Sequence, residues 1–310
     1  MRKMKILIIL ALLQPFILSA TDIKVYFSPE DKIDRIILEN IKQAKKSVYI
    51  VSYSFNWDEG LESLNKIAEY GVNVKVLLQF PPSNTYKENK KALIRLWNKK
   101  SSVLHAKFVV IDEKYVFVGS PNLTESSLAW DSNNILFIKD NNIGKFFSEN
   151  FLSLWSRMPD SNLKNYKDNS IEIYFSPEYD CLSIIKDNIN NAKQTLRFAM
   201  FSFTLDEIGE EMFVAGFKGI KIYGIFEKSQ NPISNEYYFL KNFPFIKIKK
   251  DCFVKNIHDK FLVIDDNIVL TGSFNYTQSA RKNVETLIVL KDNRIASEYI
   301  KRWKHLWLWY

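Results

Sequence analysis

The sequence predicts an α/β protein made of two tandem copies of one domain, each with a mixed β-sheet. Two observations support this prediction. Short segments recur along the chain at an offset of 148 to 153 residues. Within each copy, β-branched and aromatic stretches alternate with stretches of helical periodicity, which is typical of α/β architectures. We therefore expect two similar α/β sandwich domains in one chain of 310 residues.

The repeat covers most of the chain. The segment Tyr26–Glu30 recurs as Tyr174–Glu178, with the same five residues in the same order. Near the ends of the copies, Trp155 matches Trp307. Between the copies lies a stretch rich in Asn, Asp, Lys and Ser, a composition typical of linkers. The predicted division is residues 21–155 and 172–310 as two domains, with residues 156–171 as a linker.

The elements of the first copy follow in a regular order, which the second copy repeats. Strand predictions rest on β-branched and aromatic runs. Helix predictions rest on apolar residues at helical spacing, such as Leu61, Leu64 and Ile67. The predicted strands are 48–55, 72–80, 103–111, 115–119 and 135–138, and the predicted helices are 61–70 and 144–155.

Residues 1–20 are predicted to be a cleaved secretory signal peptide. A basic start is followed by the unbroken apolar run Ile6–Leu13, and the small residue Ala20 ends the segment. An uncleaved membrane anchor is the alternative, but a spanning helix needs about 20 apolar residues. We therefore expect a secreted or periplasmic protein.

The composition limits the chemistry. A formal net charge of +8 favours an anionic partner. Three histidines and two cysteines are too few for a zinc site built from these residues, so we expect no metal and no cofactor. A disulfide between Cys181 and Cys252 is left open, because a sequence does not show their distance.

Each copy carries the same six residues at the same spacing. A His and a Lys two apart on a strand point to the same face. We expect the Gly-Ser-x-Asn turn to place a hydroxyl and an amide at the start of the next helix, where anions are favoured. The two sets are His105, Lys107, Asp112, Gly119, Ser120 and Asn122, and His258, Lys260, Asp265, Gly272, Ser273 and Asn275.

This pattern predicts a phosphate cradle in each copy, with both histidines facing one phosphorus. One imidazole attacks phosphorus and becomes a phosphohistidine, the other protonates the leaving oxygen, and water then releases the phosphate. No metal is needed, because lysine and asparagine stabilise the charge on the other phosphate oxygens. The predicted phosphate-binding residues are Lys107, Ser120, Asn122, Lys260, Ser273 and Asn275.

The paired His-Lys-Asp motif resembles that of the phospholipase D superfamily. Each copy is similar to the small bacterial endonuclease and cardiolipin hydrolase members, which carry one motif and dimerise. The resemblance implies α/β halves about a pseudo-two-fold axis, an active site between them, and a monomer that is an internal pseudo-dimer. It implies His105 rather than His258 as the nucleophile.

The resemblance also implies an acidic residue that holds the histidine ring. Glu285 fits this place in the second copy, whereas the matching residue in the first copy is Asn133. A carboxylate beside an imidazole favours the imidazolium. We therefore expect Glu285 to pair with His258 and to make His258 the more easily protonated histidine, which leaves the assignment of the nucleophile open.

Two further groups of residues each have a functional and a structural interpretation. Asp112 and Asp265 complete the motif as catalytic residues, but each also precedes a tight turn, where Asp is favoured for local structural reasons. Two basic runs precede the histidines, either as solvated surface on a helix face and a strand edge or as a positive rim that draws phosphodiesters into the cleft. The runs are Lys87, Lys90, Lys91, Arg95, Lys99 and Lys100, and Lys247, Lys249, Lys250 and Lys255.

The leading prediction is a secreted phospholipase D-like phosphodiesterase that hydrolyses phospholipids, with peripheral membrane contact. A metal-independent endonuclease acting on DNA or RNA is the alternative, because the basic runs suit nucleic acid equally. A phosphatidyltransferase like the cardiolipin synthases and a non-catalytic binder of anionic ligands are the further alternatives.

Overall fold

The computed structural model describes residues 21–82, 91–99, 101–156, 162–230, 236–252 and 255–309. The predicted signal peptide lies outside the described residues, as do Lys87, Lys90 and Lys100 of the first basic run.

Each half of the chain builds one large sheet flanked by helices. The first half contains β1 (Asp22–Ser28), α1 (Ile33–Lys42), β2 (Ser47–Ser52), β3 (Phe55–Asn56), α2 (Asp58–Glu69), β4 (Asn73–Leu78), β5 (Leu93–Leu96), β6 (Phe108–Ile111), β7 (Tyr115–Gly119), β8 (Leu123–Thr124), α3 (Glu125–Ala129), β9 (Asn133–Lys139) and α4 (Asn141–Trp155). The second half contains β10 (Tyr166–Lys167), β11 (Ile171–Ser176), α5 (Cys181–Asn190), β12 (Thr195–Met200), α6 (Asp206–Phe217), β13 (Lys221–Phe226), α7 (Tyr237–Leu240), β14 (Ile246–Lys250), β15 (Lys260–Ile264), β16 (Ile268–Gly272), β17 (Glu285–Lys291) and α8 (Asn293–Trp309).

The two large sheets have the same strand order. The first is β1-β9-β7-β6-β2-β4-β5, and the second is β11-β17-β16-β15-β12-β13-β14 with β10 added at the β11 edge. In both sheets the last three strands pair in parallel and the others pair antiparallel. The predicted mixed α/β fold with two related halves is therefore confirmed.

Helices α4 and α8 lie between the two sheets. Their apolar residues join those of both sheets in one core that crosses from half to half, with ring contacts such as Phe108 to Phe175. Both helices begin in the same way, because the side chains of Asp140 and Asp292 accept hydrogen bonds from the first backbone N–H groups. The other long helices cover the outer faces of the sheets.

The structure differs from the sequence prediction at three places. The strand predicted from residue 103 begins only at Phe108, and His105 and Lys107 lie before it in irregular backbone. The predicted linker contains the edge strand β10. The Gly-Ser-x-Asn turn does not lead directly into a helix, because α3 begins after Thr124 and residues 273–284, all of them described, contain no helix.

The cysteines and the helices answer two further questions that the sequence raises. Cys181 is buried and Cys252 is exposed, and they are not disulfide-bonded. Among the described residues, no helix is both long enough and apolar enough to cross a membrane.

Candidate active site

The segments that carry the two histidines cross between the halves. Leu104 pairs with Val284 of the second half, and Ile257 pairs in the same way with Ser132 of the first half. The backbone N–H of His105 donates to Val284 O over 2.9 Å, and that of His258 donates to Ser132 O over 2.8 Å. His105 is therefore held next to the first residue of β17 in the second half, and His258 is held next to the first residue of β9 in the first half.

This crossing decides the partner of His105. Its Nδ1 atom lies 2.8 Å from the carboxylate of Glu285, the first residue of β17. The Glu285 side chain is almost fully buried and also accepts a hydrogen bond from Ser273 Oγ over 2.5 Å. The prediction that Glu285 pairs with His258 of its own half is wrong, because the carboxylate reaches the histidine of the other half.

His258 has an amide partner instead. Its Nδ1 atom lies 2.9 Å from Asn133 Oδ1, and the amide nitrogen of Asn133 donates to Ser127 O over 2.8 Å. Because the amide nitrogen is used, the amide oxygen faces the imidazole and accepts the proton on Nδ1. This leaves Nε2 of His258 with its lone pair.

The pKa values of the two histidines differ in the opposite sense to the prediction. Burial lowers the pKa of His105, and the nearby carboxylate of Glu285 opposes this shift. Burial lowers the pKa of His258 further, and the charges of Lys260, Lys107 and His105 add to the effect. His105 is therefore the more easily protonated of the two.

Both motif lysines are buried beside their histidines. Lys107 Nζ donates to His105 O over 2.5 Å, and Lys260 Nζ donates to His258 O over 2.7 Å. Burial lowers the pKa of Lys107 to about 7, and it lowers the pKa of Lys260 well below its usual range. Two ammonium groups held this way are a site for an anion, because an anion between them removes the cost of burying their charges.

The motif serines and asparagines have matching roles in the two halves. Ser120 Oγ donates to Asn133 Oδ1 over 2.9 Å, as Ser273 Oγ does to Glu285, so both serines orient the partners of the histidines. Asn122 Oδ1 and Asn275 Oδ1 are buried, and neither has a hydrogen-bond partner within the described part of the chain. If either side-chain amide is rotated by half a turn, its two N–H donors take the place of this oxygen. Such donors suit a phosphate oxygen.

The family described as cardiolipin synthase, PLD-like domain, matches residues 37–155 and 185–307. The chain belongs to this phospholipase D-like family. The matched segments correspond to the two halves, and each contains one His-Lys-Asp motif. The resemblance to the phospholipase D superfamily is confirmed, and the chain is an enzyme of the phosphodiesterase class.

Two relatives each match less than half of this chain. The chain is 24% identical over 156 residues to the phospholipase D of Rickettsia typhi, which covers 47% of this chain and 74% of that protein. It is 28% identical over 127 residues to the mitochondrial cardiolipin hydrolase of Chlamydomonas reinhardtii, which covers 41% of this chain and 57% of that protein.

Both halves together match a solved structure. Phosphatidylserine synthase of Haemophilus influenzae aligns with a TM-score of 0.66, covering 92% of this chain and 85% of its own. The sequence identity is 13%, so this likeness shows the shared fold alone.

Within this phospholipase D-like fold, the motif aspartates lie away from the histidines. Asp112 is five residues beyond Lys107, about 17 Å along an extended chain. Its carboxylate accepts hydrogen bonds from the backbone N–H groups at 45–47, and Asp265 does the same for those at 193–195. Their geometry supports the structural reading, since each joins the end of one central strand to the start of the next, and it does not support their place among the catalytic residues.

Two positioning residues were missed by the sequence analysis. Gln79 Oε1 accepts the backbone N–H of Leu104 over 2.8 Å, and Glu227 Oε2 accepts that of Ile257 over 2.6 Å. Each therefore fixes the residue directly before a histidine. The signal that could have found them is their shared offset of 148 residues, each at the end of a central parallel strand.

The basic runs contribute partly to packing. Arg95 on β5 donates to Trp155 O over 3.1 Å, and Lys249 on β14 donates to Trp307 O over 2.7 Å. The helix face predicted for the first run is wrong at Arg95, which lies in a strand. Both cations cover the last turn of an inner helix, where positive charge is favourable. These two residues therefore stabilise the ends of the inner helices.

The described side chains offer no ready metal site. Nowhere in the described ranges do three or more His, Cys, Asp or Glu side chains come together as ligands would. The ionisable groups that contact the histidines are instead Lys107, Lys260 and Glu285.

Proposed function

We propose that the protein hydrolyses the phosphodiester bond of phospholipids through a phosphohistidine intermediate. The observation that carries the proposal is the pairing of each histidine at Nδ1 with a residue of the other half. This pairing uses one nitrogen of each ring and leaves both Nε2 atoms for one substrate placed between the halves.

His105 acts as the nucleophile in this proposal. A histidine phosphorylated at Nε2 keeps its proton on Nδ1 and carries a positive charge, which the Glu285 carboxylate stabilises at 2.8 Å. The neutral amide of Asn133 gives His258 no such stabilisation. The family position of His105 and the electrostatics of Glu285 agree on this assignment.

The reaction balances with these two rings and one water. The lone pair of His105 Nε2 attacks phosphorus as the bond to the leaving oxygen breaks, and this oxygen takes a proton from His258 Nε2. Water then attacks phosphorus and gives its proton to His258, and the phosphorus–nitrogen bond breaks to restore neutral His105. The products are an alcohol and a phosphomonoester.

His258 must carry a second proton, on Nε2, for the first step. Its low pKa in the free enzyme makes it a strong acid, and a bound phosphate anion favours its protonated form. Lys107 and Lys260 stabilise the charge on the non-bridging oxygens in the same way, because the anion raises their pKa as well.

Parallel assays test the substrate class. The full chain is incubated in EDTA with phosphatidylcholine, cardiolipin, single-stranded DNA and RNA. We expect phosphatidate-type products from lipid and none from nucleic acid, with no activity in His105→Asn and His258→Asn. Cleavage of nucleic acid alone would establish the endonuclease alternative, and activity lost on chelation would contradict the mechanism.

A further inference from the structure

The outer flank of the second half carries a cluster of exposed apolar side chains. This aromatic patch consists of residues from the end of α6, from α7 and from the segment that enters β14. Phe217 is 77% exposed, and Phe239 and Phe245 are each 37% exposed. Its exposed members are Val214, Phe217, Tyr238, Phe239 and Phe245, and the half-buried rings of Phe213 and Phe243 complete it.

The rings pack against one another and form one surface. The Phe213 and Phe243 centroids are 4.4 Å apart, and Phe243 lies 5.1 Å from Phe239 and 5.8 Å from Phe245. Scattered apolar side chains are normal on a protein surface, but a contiguous group of this kind marks an interaction site.

The fold itself does not require this patch. The first half has the same helix and the same sheet, yet Asn65, Lys66 and Glu69 occupy the places of Phe213, Val214 and Phe217. The polar residues show that these positions tolerate contact with water. The apolar residues of the second half therefore serve something other than the packing of the sheet.

Lysine side chains lie beside the patch. Lys250 Nζ lies 5.1 Å from the centre of the Tyr238 ring, and the two carboxylates of residues 212–250, Glu227 and Glu236, are buried. Lys218 is exposed next to Phe217, and Lys241 Nζ lies 4.5 Å from the centre of the Tyr238 ring. The neighbouring acidic residues of α6 are Glu210 and Glu211, and Glu211 is paired with Lys186 over 3.1 Å.

We propose that the aromatic patch docks the protein on an anionic phospholipid bilayer. Apolar rings inserted among the acyl chains, with lysines at the level of the headgroups, are the arrangement by which proteins bind such interfaces. The proposal rests on the proposed function because a bilayer presents the phospholipid substrate, but docking itself requires no turnover.

The chemistry of the patch favours lipid over single-stranded nucleic acid. Nucleic-acid platforms present ring faces to successive bases and use arginine for stacking. Here the phenylalanine rings cover one another, and residues 212–250 contain no arginine.

Vesicle flotation with the full chain tests the docking surface. The background is His105→Asn, so that hydrolysis does not change the vesicles, which contain phosphatidylcholine alone or mixed with phosphatidylglycerol. The test variant is Val214→Lys with Phe217→Glu, the residues of the first half. The matched control is Tyr70→Glu, at an 80% exposed residue of the first half directly after α2.

We expect the test variant to bind mixed vesicles at least about 10-fold more weakly, since one buried phenylalanine contributes that much. Tyr70→Glu should bind like its parent, and in the His105 background both should keep the parent's circular dichroism. With His105 restored, the test variant should hydrolyse a soluble nitrophenyl phosphodiester at the normal rate.

Three results would overturn the proposal. They are unchanged vesicle binding, a loss of DNA binding in place of vesicle binding, and a dimer in gel filtration that the test variant dissociates. Failure of the proposed function is distinguishable from failure of the docking proposal. If the protein does not hydrolyse lipid, the test variant still loses vesicle binding. If vesicle binding does not depend on the patch, lipid hydrolysis is still observed.

Discussion

Two residues at matching places, Glu285 and Asn133, make the catalytic histidines unequal. Each begins a strand, each accepts a hydrogen bond from a motif serine, and each faces the Nδ1 atom of a histidine across the boundary between halves. The difference is one negative charge. A carboxylate stabilises a cationic ring, whereas an amide only fixes which nitrogen carries the proton.

The site of the covalent intermediate follows from this difference. In His258→Ala, a nitrophenyl phosphodiester should still phosphorylate His105, because nitrophenolate leaves without a proton. Hydrolysis of the intermediate then lacks its base, so we expect a burst of about one nitrophenolate per enzyme and slow turnover afterwards. Rapid-quench kinetics measures the burst, and mass spectrometry locates the phosphoryl group.

His105→Ala is the control for this experiment and should show no burst. A burst in that variant, with the phosphoryl group on His258, would reverse the assignment of the two rings.

The pH dependence of the reaction belongs to the same residues. An imidazole with a lowered pKa becomes neutral below pH 6.5, so kcat/KM for the nitrophenyl ester should rise with pH in that range. Lys107, with a pKa of about 7, then loses its charge, and kcat/KM should fall at higher pH. Glu285→Gln removes the carboxylate that raises the pKa of His105, which should move the acidic limb to lower pH.

Steady-state kinetics across pH measures both limbs, and NMR titration assigns the histidines. A value for His258 above that for His105 would contradict the assignment of the Glu285 carboxylate to His105.

At the scale of elements, the ends of β4 and β13 position the histidine segments. Gln79→Ala and Glu227→Ala should lower kcat by about 10- to 100-fold with little change in KM, because they release the residue before a histidine. The conservative variant Glu227→Gln, which places the first-half residue in the second half, should retain most activity. Steady-state kinetics with thermal unfolding as control separates this from loss of fold.

Equal losses in Glu227→Gln and Glu227→Ala would argue against positioning through the backbone hydrogen bond. An increase in KM with unchanged kcat would assign these residues to substrate binding instead.

The repeat predicted much at this scale, but not the contacts between halves. An offset of 148 to 153 residues shows which residues are equivalent, and it predicted the order of strands and both His-Lys pairs. It does not show which copy a residue touches. Because Leu104 pairs with Val284 and Ile257 with Ser132, the partners exchange, and Glu285 meets the histidine that the sequence placed elsewhere.

At the scale of the whole molecule, the boundary between halves is asymmetric. Asp259 is buried and accepts hydrogen bonds from Ser132 and Asn134 of the first half. Thr271 and Tyr299 donate to the amide oxygen of Asn134 over 2.6 and 2.9 Å. Four of the five equivalent places on the other side are apolar, namely Ala106, Val284, Val118 and Phe147, and the fifth is Thr286. A homodimer of the second half would place Asp259 against Val284, which would leave this buried carboxylate without the hydrogen bond from Ser132.

This network should couple the halves in unfolding. Asp259→Ala leaves the amide nitrogen of Asn134 buried without its acceptor, and we expect a loss of roughly 1–3 kcal/mol in the free energy of unfolding. Asn134→Thr, which introduces the residue found at Thr286, should cost less in the Asp259→Ala background than alone, by at least about 0.5 kcal/mol. Guanidinium unfolding followed by tryptophan fluorescence and circular dichroism measures both.

We expect one transition, because the core around α4 and α8 contains residues of both halves. Separate transitions for the two probes, or additive losses in the cycle, would show that the halves fold independently and that the network does not join them.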